Sequence, residues 1–282
     1  MLKDYFHLCK KSWDNFTKNT VLFIPYIIEL FVSLFLLLMI IGAEIGIFYL
    51  LIGSLKGIES EIFKHPLTVI VFILLALIDI FILITITSFF RAMKIGMYRE
   101  VITHRKTTIS YMYYFGRKFF KRKLEISLIA SLIFLLPLLL LAVIAGFFLF
   151  TYHPIGIILG IILAVIYALY FVIMGVIVYF GLFFVDPIIV SQEKSAIDLM
   201  AHSFRFMREN LSKVIITWAF IACFSLIISF VLYLFELPFN LLNFPQYELL
   251  ILILLFSAEF IAKTTVNILI DLFFFNVYFK SK

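Results

Sequence analysis

The chain has 282 residues, of which 65% are hydrophobic and only 14% are charged. A soluble domain has about 45–50% apolar and about 25% charged residues, so this composition excludes an ordinary soluble protein. The net charge of +6 does not indicate nucleic-acid binding, because basic residues of a membrane protein set its orientation and meet anionic headgroups. No nucleic-acid-binding motif accompanies the charge, and we expect no nucleic-acid partner.

Residues 1–20 predict an amphipathic helix. Apolar side chains recur at helical spacing, and lysines fill the opposite side. A lysine-rich face opposite aromatic residues is typical of a helix that lies in the headgroup plane. The alternative is a leader helix that packs on its own bundle.

Six apolar segments follow, each longer than the ~20 residues that a helix needs to cross the hydrocarbon core. The sequence therefore predicts an all-α membrane protein with six transmembrane helices in a single transmembrane domain, 1–282. The segments are 21–52, 66–90, 124–150, 155–185, 212–236 and 248–279.

The connection between the second and third segments is strongly basic. Residues 91–123 hold ten lysines and arginines against one acidic residue, Glu100, whereas the connections on the other side are neutral or acidic. Basic connections stay in the cytoplasm, so both termini are predicted to be cytoplasmic. We expect a multi-pass protein of the plasma membrane of a prokaryote.

The same basic connection interleaves its charges with tyrosine and phenylalanine. Next to a membrane, this pattern indicates contact with anionic lipid headgroups, and the bilayer is the expected partner. The alternative is that these charges only set the topology. The candidate lipid-contact residues are Arg105, Lys106, Arg117, Lys118, Lys121, Arg122 and Lys123.

A weak internal repeat divides the chain into units of about 1–98, 99–190 and 191–282. Ser12-Trp13 with Asn19 precedes the first apolar segment, and Ser203-Phe204 with Asn210 precedes the fifth. The repeat predicts three helical hairpins, each preceded by a cytoplasmic interfacial amphipathic helix. Chance similarity among phenylalanine-rich segments is the alternative.

The stretch before the fifth segment predicts a capped helix. Ser195 can cap its N-terminus, with Asp198 three residues later in a capping-box-like arrangement.

A sequence motif around this helix resembles a known family. Residues 186–193 read Asp-Pro-Ile-Ile-Val-Ser-Gln-Glu, residues 203–210 read Ser-Phe-Arg-Phe-Met-Arg-Glu-Asn, and residues 278–280 read Tyr-Phe-Lys near the C-terminus. Together they look like a family of polytopic membrane proteins that includes the membrane domain found beside some glycerophosphodiester phosphodiesterases. The resemblance implies about six helices and no settled activity. The phosphodiesterase domain itself is missing, and no catalytic residue is carried over.

Ionisable residues inside the apolar segments are the sharpest functional signal. Four polar residues recur every four positions in the last segment, so they share one helix face. Two acids lie at comparable depth in the first and second segments. Such residues are costly in a bilayer and mark either a functional site or a polar clasp between helices. The predicted buried polar cluster comprises Glu29, Asp79, Glu259, Lys263, Asn267 and Asp271.

A stripe of small residues follows one face of the fourth segment. Small residues four apart allow helices to approach closely, and packing within the bundle is favoured over dimerisation. The stripe comprises Gly156, Gly160, Ala164 and Ala168.

Two functional hypotheses follow from these patterns. The first is a membrane protein that handles an ion, a polar solute or a lipid headgroup through the polar cluster. The alternative is a non-catalytic structural or membrane-organising protein that acts through its amphipathic helices. No catalytic motif is found, so we expect no enzyme. The spacing of the two cysteines, Cys9 and Cys223, fits neither a disulfide framework nor a metal site, and we expect no cofactor.

Overall fold

The structure, a computed structural model, describes residues 2–52, 66–150, 154–241 and 248–281. The connections 53–65, 151–153 and 242–247, on which the predicted charge difference partly depends, lie outside the described residues. A 3-10 turn over Thr20–Phe23 joins the first two helices. The helices are α1 Leu2–Thr17, α2 Ile24–Ile52, α3 Pro66–His104, α4 Ile109–Phe150, α5 Pro154–Gly181, α6 Val185–Ser191, α7 Ala196–Glu209, α8 Leu211–Leu241 and α9 Glu248–Ser281.

Six stretches of these helices are long and apolar enough to cross a membrane. They lie in α2, in α3, in α4, in α5 continuing into α6, in α8 and in α9. This confirms the prediction of an all-α, multi-pass membrane protein with six spans. The agreement is expected because, without water in the bilayer core, a span must satisfy its backbone hydrogen bonds internally.

The basic connection 91–123 is mostly helical, and its two helical parts belong to the helices of the second and third spans. The helix of the second span continues to His104, and the helix of the third span begins at Ile109. Lysine and arginine are good helix formers, so the basic stretch is helical apart from the short break between His104 and Ile109. No separate helix precedes the third span between these two described helices, which differs from the predicted repeat.

A short bend joins α3 to α4. Arg105 has a φ of 63° and occupies the left-handed region. The Asn19 side chain holds the bend, since its amide nitrogen donates to the Arg105 carbonyl oxygen at 3.2 Å and its oxygen accepts from the Thr107 backbone nitrogen at 3.1 Å. The start of α2 is thereby attached to the bend.

The buried core lies at one end of the bundle, which we term the packed end. It comprises α1, α6, α7, the C-terminal parts of α3 and α9, and the start of α4 and α8. Residues 92–98 of α3 and 271–278 of α9 are buried without interruption. Towards the other end, large apolar side chains are widely exposed, as expected for helices that face lipid.

The first and last helices meet at the packed end. The Asn276 amide donates to the Ser12 hydroxyl at 3.0 Å, and Lys280 pairs with Asp4 at 3.0 Å. With the Asn19 contacts described above, these bonds hold α1, the end of α9 and the α3–α4 bend together.

Helix α7 begins as predicted, because the Ser195 side chain accepts from the Asp198 backbone nitrogen.

Candidate functional site

Arg91 is the centre of a charged network at the packed end. It lies directly before the continuously buried part of α3, and its guanidinium makes two bonds with Asp271 of α9. The Nη1–Oδ2 distance is 2.6 Å and the Nη2–Oδ1 distance is 2.8 Å. Its Nε donates to Asp186 Oδ2 at 2.6 Å. A planar guanidinium that binds two carboxylates in this way fixes the relative position of three helices.

Asp186 reaches this position because the helix of the fourth span is interrupted after Gly181. Helix α5 ends at Gly181, and the short helix α6 then carries Asp186 into the core. Its Oδ1 accepts from Lys123 Nζ of α4 at 2.7 Å. Asp186 therefore links the second and third spans through its two oxygens.

The network extends to α2 through Lys94, one turn beyond Arg91 on α3. Lys94 pairs with Glu29, and its Nζ lies 3.7 Å from the centre of the Tyr26 ring. The Tyr26 hydroxyl lies 2.7 Å from that of Tyr98 and donates to Asp271 Oδ2 at 3.3 Å. The first span is thereby attached to the second and the sixth.

We call these six charged residues the ion network. It contains three cations and three carboxylates, so it is neutral when all are ionised. Each charge has a partner on a different helix, which offsets the large cost of removing ions from water. The members are Glu29, Arg91, Lys94, Lys123, Asp186 and Asp271.

A cleft of about 410 Å³ opens onto one part of the ion network. Arg91, Lys123, Asp186 and Asp271 line it, and the Arg91 side chain is still 29% exposed there. Arg91 uses three of its five N–H groups in the bonds described above, and Lys123 uses one of three. We call this cavity the Arg91 cleft. Its other walls are mainly apolar and include Ile126, Ala130, Val178, Leu182, Phe183 and Phe274.

The predicted polar cluster is divided among three places. Glu29 and Asp271 belong to the ion network. Glu259 and Lys263 pair with each other along α9, and the Lys263 side chain is 63% exposed. These two residues and the exposed Asn267 line a groove between α2 and α9, and Glu29 of the ion network lines the same groove.

Asp79 lies apart from both groups. Its side chain lies beside that of Glu44, on α2. The four-residue spacing in the last span correctly placed Glu259 and Lys263 on one helix face, where they form a pair. It did not predict that Asp271 turns towards the core while Asn267 faces outward.

Sequence reasoning missed most of the ion network. Arg91, Lys94 and Lys123 are in the basic stretch, where they were assigned to topology or lipid contact. Asp186 was noted from the sequence only as part of the 186–193 motif that resembles the polytopic family, and no role was assigned to it. The available signal was the Arg91–Lys94 pair one helical turn apart at the end of an apolar segment, where basic side chains can turn inward towards the acids of other spans.

The candidate lipid-contact residues fall into two groups. Lys118 pairs with Glu193 at 3.3 Å, Arg122 donates to the Gln192 carbonyl oxygen at 3.3 Å, and Lys123 belongs to the ion network. The other four are exposed on the described surface, and they are Arg105, Lys106, Arg117 and Lys121.

The small-residue stripe of α5 has no helix packed against its described part. A Cβ added at Gly160 would meet nothing within 4 Å, and Ala164 and Ala168 are exposed. The surroundings of Gly156 lie outside the described residues. Helix α5 packs on α4 through another face, where the Tyr167 and Tyr170 hydroxyls donate to α4 carbonyl oxygens. Packing within the bundle is thus not seen for this stripe.

Among the described residues, no group of three or more histidine, cysteine, aspartate or glutamate side chains is placed to hold a metal ion. No protein family, curated protein or solved structure matches the chain.

Proposed function

We propose that this membrane protein binds the headgroup of an anionic phospholipid in the Arg91 cleft. The observation that carries the proposal is the side chain of Arg91, which is partly exposed and lines a cleft with mainly apolar walls. Pockets that combine apolar walls with a few converging polar groups are the usual form of ligand sites. A phosphate group accepts hydrogen bonds from arginine and lysine, and both retain unused donors here.

Of the three ligand classes considered from the sequence, a lipid headgroup fits the cleft best. The walls come from spans, so the cleft adjoins the hydrocarbon region. A free ion or a small polar solute would leave the apolar walls without a partner, whereas a lipid places its phosphate on the donors and its chains along the walls. The proposed role is binding and not catalysis.

The proposal includes an orientation in the membrane. The packed end faces the cytoplasm, with both termini there, and α1 and α7 lie near the headgroups of the plasma membrane. Arg105, Lys106, Arg117 and Lys121 are exposed, which supports contact with anionic lipid at that surface. The resemblance to the polytopic family, the three hairpins and the prokaryotic origin are part of the same proposal. In this arrangement the amphipathic stretch before the third span is the N-terminal part of α4 and not a separate helix.

The experiment is a thermal-melting assay of the purified protein in detergent, with phosphatidylglycerol or phosphatidylcholine added. Ligand binding to the folded state raises the melting temperature. We expect a larger rise with phosphatidylglycerol. The variant Ala130→Trp fills the cleft from α4 without removing a charge, and we expect it to lose most of that difference.

The matched control is Ala168→Trp, because Ala168 is also on a span but is exposed on α5. This variant should respond to phosphatidylglycerol as the parent does. An equal response in Ala130→Trp and the parent would refute headgroup binding in the cleft.

A second candidate is a structural role, in which the ion network only clasps the spans. The pairing of three cations with three carboxylates favours it, because no charge of the network is left over for a ligand. Under this alternative, lipid headgroup chemistry does not affect melting, although loss of any one charge does.

A further inference from the structure

A second cavity lies between α1, α8 and α9. It has a volume of about 320 Å³, and α1 lines one side of it. The two cavities share only the side chains of Ile221 and Ile270 in their linings. We call it the α1 groove, and its side walls are Phe220, Ile221, Phe224, Leu269, Ile270 and Phe273.

The side walls of the α1 groove offer only apolar groups to a ligand. All six side-wall residues belong to the fifth and sixth spans. Ser12 lies at the edge of the groove, but its hydroxyl donates to the Leu8 carbonyl oxygen at 2.8 Å and accepts from the Asn276 amide at 3.0 Å. The groove is therefore suited to a hydrocarbon chain and not to water or an ion.

The α1 side of the groove has a different character. Lys10 and Trp13 line it, and both are exposed. No ion-pair partner of Lys10 is found in the described part of the chain. Tryptophan and lysine residues next to a span are typical of the membrane–water boundary, where an aromatic ring meets the headgroup layer and a lysine meets a phosphate.

We infer that the α1 groove holds one acyl chain of an anionic phospholipid, with the lipid phosphate beside Lys10. The walls supply the apolar contact along about one turn of α8 and one turn of α9. The charge of Lys10 supplies the preference for an anionic headgroup. This inference depends on the assignment of α8 and α9 as membrane spans, and it does not depend on ligand binding in the Arg91 cleft.

The native cysteine in the groove provides the probe. Cys9 is half-buried in the groove lining, and Cys223 is exposed on the fifth span. The test uses the full chain with Cys223→Ser, in detergent, and follows the rate at which N-ethylmaleimide alkylates Cys9. Burial raises the pKa of the Cys9 thiol, so all rates are compared at one pH.

We expect phosphatidylglycerol to slow the alkylation of Cys9 at least about threefold, at concentrations where phosphatidylcholine has little effect. Lys10→Gln should raise the phosphatidylglycerol concentration needed for half-maximal protection about fivefold. This is the effect expected from the loss of one lysine near an anionic surface. Lys3→Gln is the matched control, because Lys3 is exposed on α1 but does not line the groove. It should behave as the parent.

Three outcomes would overturn the inference. The first is no protection by phosphatidylglycerol, and the second is equal protection by both lipids with Lys10→Gln indistinguishable from the parent. The third is protection that grows with protein concentration without lipid, which would mean that a second copy covers the groove. The variant Ala130→Trp distinguishes the two sites, because Ala130 lines the Arg91 cleft but not the α1 groove. It should largely abolish the effect of phosphatidylglycerol on the melting temperature and leave the protection of Cys9 unchanged.

Discussion

Lys94 carries the most buried positive charge of the ion network, with a side chain only 8% exposed. Its partner Glu29 is 22% exposed. The variant Glu29→Gln leaves the Lys94 charge with little but the Tyr26 ring as a partner. We expect it to lower the free energy of unfolding by roughly 2–4 kcal/mol, somewhat less than for a fully buried pair. Thermal melting in detergent measures the loss.

The double variant Glu29→Gln with Lys94→Met tests whether the cost comes from the uncompensated charge. It removes both charges, so its melting temperature should lie nearer to the parent's than that of the single variant. The control is Glu259→Gln with Lys263→Met, an exposed pair on α9. This control should be neutral or stabilising, and a large loss of stability would contradict the assignment of the structural charges to the ion network.

At the scale of elements, the α3–α4 hairpin depends on Gly96. A Cβ at this position would overlap the Phe115 Cβ, and a side-chain rotation cannot relieve the overlap because both atoms are fixed to their helix backbones. Gly96→Ala should therefore force α3 and α4 apart and cost at least about 1–3 kcal/mol, despite the better helix propensity of alanine.

Gly46→Ala is the matched control for this prediction. Gly46 lies in the first span, and a Cβ added there would meet no atom within 4 Å, so alanine should not destabilise the protein. Melting of the two variants side by side makes the comparison. Similar melting temperatures would show that the close approach of α3 and α4 is not needed for stability.

At the scale of the whole molecule, the Asp4–Lys280 pair and the Asn19 contact with the α3–α4 bend place α1, the end of α9 and the bend at one end. Reporter fusions at the two termini should therefore give the same signal, and the exposed basic residues at this end predict that the signal is cytoplasmic. Replacement of Arg105, Lys106, Arg117 and Lys121 by glutamine should reduce the fraction of correctly oriented molecules, because basic residues near span ends set orientation. Replacement by the other basic residue at each position is the control, and opposite signals from the two termini would refute the arrangement.

Local patterns in the sequence determined the class of the protein. The six apolar runs predicted six spans because a helix is the structure that satisfies its backbone inside a bilayer. Ser195 predicted a helix start because capping involves residues only three apart. Glu259 and Lys263 pair for the same reason, since residues four apart are neighbours on a helix.

Only the tertiary structure decided which charges meet. Arg91 and Asp271 are 180 residues apart, and Arg91 and Asp186 are 95 apart, so no local spacing relates them. The helix of the second span also continues into the basic stretch, which places Arg91 and Lys94 at the packed end. Pairing across helices depends on how the spans are rotated about their axes and on where the fourth span is interrupted before α6, and long-range packing sets both.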